Sequence, residues 1–81
     1  MSVIVYSKNN CPGCLEIKAW LDGNDIEFEE RNIENENPEV AQKNMSELIE
    51  KGIRSVPVTF IGDRNPIVGF NRPKLTEVFS V

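Results

Sequence analysis

Cys11-Pro12-Gly13-Cys14 constrains this chain more than any other feature, because of where it stands. A β-branched run, Val3-Ile4-Val5-Tyr6, reads as a buried strand and leads through a polar loop, Ser7 to Asn10, into the first cysteine. From Pro12 the pattern turns helical, with Cys14, Ile17 and Leu21 at helix spacing, Trp20 beside them, and Gly23 as the stop. Two thiols three residues apart at such a point share the first helical turn. Cys11 falls at the helix N-terminus, where free backbone N–H groups and the positive end of the macrodipole favour an anion. A thiolate is the reactive form of cysteine, so the position favours reactivity. Cys14, one turn inside, is expected to be less exposed and less acidic. The asymmetry predicts that Cys11 attacks a disulfide and Cys14 resolves the mixed disulfide.

Counting ligands narrows the alternatives. The 81 residues hold two cysteines and no histidine. A pair this close spans too small a loop to staple a secreted domain usefully. A structural zinc site wants four ligands, so no complete intrachain set of the usual N and S donors exists, and no metal ligands are assigned. An iron–sulfur or metal site shared between two chains through Cys11 stays open as the alternative, as does a redox-sensing module whose disulfide state governs partner binding. The net charge of −4, without a basic block, argues against nucleic acid. No apolar run approaches the roughly 20 residues of a membrane span. Residues 1–6 show neither a basic n-region nor a small-residue cleavage site, so no signal peptide and a cytoplasmic setting are expected.

The rest of the chain reads as one domain over residues 1–81. Ile26-Glu27-Phe28-Glu29 alternates with period two, a strand with one wet face. Asn37-Pro38 reads as N-cap and first helical residue. Val40, Ala41, Met45, Leu48 and Ile49 follow as an amphipathic stripe ending at Gly52. Val58–Ile61 and Pro66–Val68 read as a hairpin across Gly62–Asn65, and a last helix begins near Pro73 with Leu75, Val78 and Phe79 on one side. The order is β-α-β-α-β-β-α, an α/β chain whose first β-α-β is a right-handed parallel unit and whose last two strands are antiparallel.

Several other positions admit two readings. Pro57 is either a strand-start proline or one in a cis Val56–Pro57 bond that presents the Val56 backbone to a substrate beside Cys11. Gly69 is a turn glycine or a close-approach glycine that lets substrate pass. Lys8 and Arg54 are solvated cations or positive charge placed near the thiolate. Trp20 reads as core, and Phe70 as core or a docking residue.

Three segments carry a family resemblance. Tyr6-Ser7-Lys8-Asn9-Asn10-Cys11-Pro12-Gly13-Cys14 resembles the opening of glutaredoxins and NrdH-redoxins, Lys51–Val58 is similar to their cis-proline segment, and Val68-Gly69-Phe70-Asn71-Arg72-Pro73 looks like the NrdH-redoxin loop. The resemblance implies a thioredoxin fold, with a four-stranded mixed sheet and helices on both faces. It implies Cys11 as nucleophile, Cys14 as resolving thiol and Val56-Pro57 as a backbone clamp. Lys8, Pro12, Gly13, Gly69 and Phe70 are the further residues expected around the substrate. No cofactor is expected beyond the Cys11–Cys14 disulfide itself. Gly13 departs from the aromatic residue of glutathione-using glutaredoxins, and neutral Asn71 stands where they hold glutathione with an acidic one. Pro12, in turn, is the glutaredoxin residue at its place. These departures favour a thioredoxin-reductase-type flavoprotein as electron donor, with glutathione as the other reductant. The acceptors implied are protein disulfides such as that of ribonucleotide reductase, and the chain is expected to act as a monomer.

Overall fold

β1 (Val3–Ser7) is the strand on which the others are assembled: apart from Ile4 its side chains are buried, as its β-branched composition requires. A computed structural model describes residues 2–81 of the chain. After β1 come α1 (Pro12–Gly23), β2 (Glu29–Asn32), α2 (Pro38–Glu50), β3 (Val58–Ile61), β4 (Ile67–Val68) and α3 (Arg72–Phe79). The sheet order is β2-β1-β3-β4, with β2 parallel to β1 and the β1/β3 and β3/β4 pairs antiparallel. This is the four-stranded mixed sheet of the thioredoxin fold.

Period-two alternation along β1 and β3 divides the core between two faces. Val3, Val5 and Ile61 join Ile17 and Leu21 of α1 and Leu75 of α3, with Ile67 from β4. On the opposite face Tyr6 and Val58 meet Leu48 of α2. Helices therefore cover both faces, with α1 and α3 sharing one.

Two expected elements differ in place. The second strand is Glu29–Asn32 rather than Ile26–Glu29, with Ile4 opposite Glu29. Residues 24–28 are still occupied with ending α1: the Ile26 N–H donates to the Leu21 carbonyl at 2.9 Å, and Asp25 takes a φ of 56°. Ile26 and Phe28 instead close the apolar cluster from its rim. α2 occupies nearly its expected span but is turned about its axis. Asn44 and Leu48 are buried, whereas Ile49 is 65% exposed and Val40 and Met45 also face outward. The turn has a cause, since the Asn44 side-chain amide donates to the Asn32 carbonyl at 2.8 Å and draws its helical face onto β2. α2 then closes through Gly52, whose φ of 73° suits a residue without Cβ and lets the Ile53 N–H reach the Leu48 carbonyl at 3.0 Å.

Candidate functional site

Cys11 is the N-cap residue of α1, in extended conformation, with Pro12 in the first helical turn. Its Sγ accepts the Cys14 backbone N–H at 3.2 Å, the role an oxygen plays in an ordinary N-cap. The same N–H would hold a Cys11 thiolate when the sulfur is free. The two cysteines are joined as a disulfide, with Cα atoms 5.2 Å apart. Cys11 keeps 6% of its surface exposed and Cys14 only 1%, so the first sulfur is the more accessible. That order matches the one derived from the helix terminus.

The β1–α1 loop is tied down from the side. The Asn9 N–H donates to the Glu34 carboxylate at 2.8 Å, and Asn32 donates to the Asn9 side-chain oxygen at 3.1 Å. Asn10, just before Cys11, adopts a φ of 53°, in the left-handed region that asparagine tolerates better than most residues.

Pro57 reaches the cysteine turn from β3. The Val56–Pro57 bond is cis, as the second of its two readings required, and the proline is buried. A Cβ built on Gly13 would lie 3.3 Å from Pro57 Cδ, tighter than most real contacts, so a glycine at this point lets the two segments meet. The Pro57 carbonyl in turn accepts the Gly69 N–H at 2.8 Å, and Gly69 holds a φ of 77° that its lack of a side chain permits. Gly13, Pro57 and Gly69 are thus brought together beside Cys11 and Cys14.

The remaining candidates separate. Lys8 is exposed and, with Arg54 and Val56, lines a cavity of about 690 Å³ whose apolar wall includes Ile33, Met45 and Ile49. Pro12 is exposed on the helix start. Phe70 is half-buried and packs one side on the apolar cluster under α1 and α3, and Trp20 does the same against Phe79. Asn71 is the N-cap of α3, its side chain accepting the Lys74 N–H at 3.2 Å. Among the described residues no group of three or more His, Cys, Asp or Glu side chains is placed to hold a metal ion.

Two polar networks flank the site, and reading the sequence missed both. The Tyr6 hydroxyl donates to Glu47 at 2.8 Å, and Arg31 donates to the Tyr6 oxygen and to Glu47 at 3.1 Å each. On the other face of β1 the Ser7 hydroxyl and the Lys18 ammonium both donate to Glu30, at 2.6 and 2.7 Å. Burial pushes the Glu30 carboxyl up, but Lys18 and Ser7 outweigh it and leave the group below its ordinary value. The Tyr6 hydrogen bond, helped by Arg31, holds Glu47 below its ordinary value as well. Charges from three separate elements make these networks, so no local spacing announces them. The one available hint was a tyrosine at the end of an otherwise aliphatic strand.

Similarity to known proteins agrees with this geometry. The family model described as glutaredoxin matches residues 3–65. A glutaredoxin-like protein NrdH of Lactococcus lactis is 48% identical over 56 residues, which cover 69% of this chain and 71% of that protein. Two solved structures share the fold. The glutaredoxin-like NrdH-redoxin of Escherichia coli, described as having a thioredoxin-like activity profile, aligns with a TM-score of 0.79 at 23% identity, over 96% of this chain and 95% of that one. The glutaredoxin (grx-1) of Archaeoglobus fulgidus aligns with a TM-score of 0.78 at 28% identity, over 99% of this chain and 87% of that one.

Proposed function

The chain belongs to the glutaredoxin family and is a thiol–disulfide oxidoreductase; on that premise we propose that residues 1–81 act as one dithiol carrier reducing protein disulfides through Cys11 and Cys14. The observation that carries the proposal is the Cys11 sulfur at the N-cap, accepting the Cys14 N–H while remaining the more exposed of the pair. In the forward step the Cys11 thiolate attacks one sulfur of a client disulfide, and the client's other sulfur leaves as a thiolate. Cys14 then loses its proton and attacks the Cys11 sulfur. The client departs as a dithiol, and the Cys11–Cys14 disulfide retains the oxidation. Two electrons from an external dithiol return it to the start.

Val56-Pro57, with Gly13 and Gly69 around it, is the segment we assign to the client backbone, and Lys8 with Pro12 and Phe70 to its surroundings. The 48% identity to the lactococcal protein and the capping role of Asn71 support a thioredoxin-reductase-type flavoprotein as electron donor. The same likeness supports ribonucleotide reductase as a client. The experiment is to reduce the oxidised protein with NADPH, supplying either thioredoxin reductase or glutathione with glutathione reductase, and to titrate the free thiols. Reduction by the flavoprotein alone is expected. Fast reduction by glutathione alone would sink the donor assignment. Cys11→Ser is expected to abolish disulfide reduction and Cys14→Ser to accumulate mixed disulfides; a fully active Cys11→Ser would sink the assigned roles.

A further inference from the structure

Thr59 is fully buried, and its hydroxyl has no hydrogen-bond partner among the described residues. A buried hydroxyl left unpaired is a standing cost, and natural chains rarely carry one without a use. Thr59 stands opposite Val5 in one neighbouring strand and Ile67 in the other, both members of the apolar cluster beneath α1 and α3. Residues directly opposite share a face of the sheet, so Thr59 faces these helices as well.

Its level along α1 follows from its neighbours. Pro57, two residues before it, meets Gly13, and Ile61, two residues after it, packs in one cluster with Ile17 and Leu21. The buried residue of α1 between Gly13 and Ile17 is Cys14. The other polar groups of this region are already engaged, Ser7 and Lys18 with Glu30.

We propose that the Thr59 hydroxyl is the hydrogen-bond partner of the Cys14 sulfur in the dithiol form, and that it is left unpaired in the disulfide form because the bond to Cys11 then draws that sulfur out of its reach. The step it favours is reduction of the Cys11–Cys14 bond. An external dithiol supplies two electrons and becomes a disulfide, Cys11 leaves as the thiolate held by the Cys14 N–H, and Cys14 takes up a proton and turns to Thr59. By stabilising the reduced form alone, Thr59 makes the protein a stronger oxidant than an all-apolar core would. The inference rests on Cys11 and Cys14 being the working couple.

The test equilibrates the full chain against a dithiothreitol redox buffer and reads the oxidised fraction by thiol alkylation. Wild type is expected to titrate as a single two-electron couple. Thr59→Val, of the same shape, is expected to favour the disulfide about tenfold, a midpoint lower by about 30 mV, while Thr59→Ser keeps the wild-type midpoint. Melting adds a second readout: Thr59→Val is expected to raise the Tm of the oxidised protein more than that of the reduced protein. A valine variant with the wild-type midpoint overturns the proposal, as does an equal gain in both forms. A wild-type pair that does not titrate overturns instead the functional reading on which the inference rests.

Discussion

On the face of the sheet covered by α1 and α3, aliphatic side chains interlock from five elements, Val3 and Val5 with Ile17, Leu21, Ile61, Ile67 and Leu75. On the α2 face a smaller set among the described residues, Tyr6, Leu48 and Val58, is buried together, and polar bonds also hold the helix, Tyr6 and Arg31 to Glu47 and Asn44 to Asn32. The cysteines ride on the first face, and the open cavity lies along the second. Close packing tolerates little displacement, whereas an arrangement of partly exposed polar bonds can rearrange at small cost. The division therefore mounts the cysteine helix on the tightly packed face and leaves the α2 face the more adaptable of the two.

The comparison is broken or sharpened by substitutions on each face. The largest effect is expected of Leu21→Ala, which empties a fully buried site at the far end of α1 from the cysteines. It should cost about 2–5 kcal/mol and lower the Tm by at least about 8 °C, since ~1 kcal/mol shifts a domain of this size by roughly 4–8 °C. Tyr6→Phe should cost about 1 kcal/mol by urea titration. It keeps the ring on Phe60, and Arg31 and Glu47 still bond to one another. A Tyr6→Phe loss as large as that of Leu21→Ala would overturn the contrast between the faces.

The smallest effect is pH dependence, which on the α2 face is expected of Glu47 and Tyr6. Glu47 titrates lower in the folded protein than unfolded, through the Tyr6 bond and Arg31. Its contribution is therefore present at neutral pH and lost as pH falls from about 4.5 through the folded value. Tyr6, raised first by burial and then by its bond to Glu47, works in the opposite sense: its contribution is present below pH 10 and lost as pH rises beyond it. Glu47→Gln should flatten the acid limb of a stability–pH curve, while the deficit of Leu21→Ala stays constant across it.

The same contrast explains what the sequence made legible. The apolar face was readable because it is written in periodicity: β1, α1, β3 and α3 all appear where Val3–Tyr6, Cys14–Leu21, Val58–Ile61 and Leu75–Phe79 place them. The cysteine pair and the cis Val56–Pro57 bond were readable for a related reason, since both are local signatures. On the α2 face a polar residue overrides the apolar pattern. Asn44, not Met45 or Ile49, turns inward, because a carbonyl of β2 needs its amide. β2 itself lies later than its alternation suggested because the end of α1 uses residues 24–28 first. Asn71 could be seen as a neutral substitution, but its role as a cap emerged only once the start of α3 was placed. The unpaired hydroxyl of Thr59 had no signal at all, since threonine in a strand looks like any β-branched residue.

The sheet's borders carry a last consequence. One edge is β2, whose sequence is Glu29-Glu30-Arg31-Asn32, and the other is β4, only two residues long and preceded by Pro66. Charged side chains, short length and a proline are the devices that deny a foreign strand a template. Both edges of the sheet therefore offer little template for a second strand, and the chain is guarded against edge-to-edge aggregation on either side.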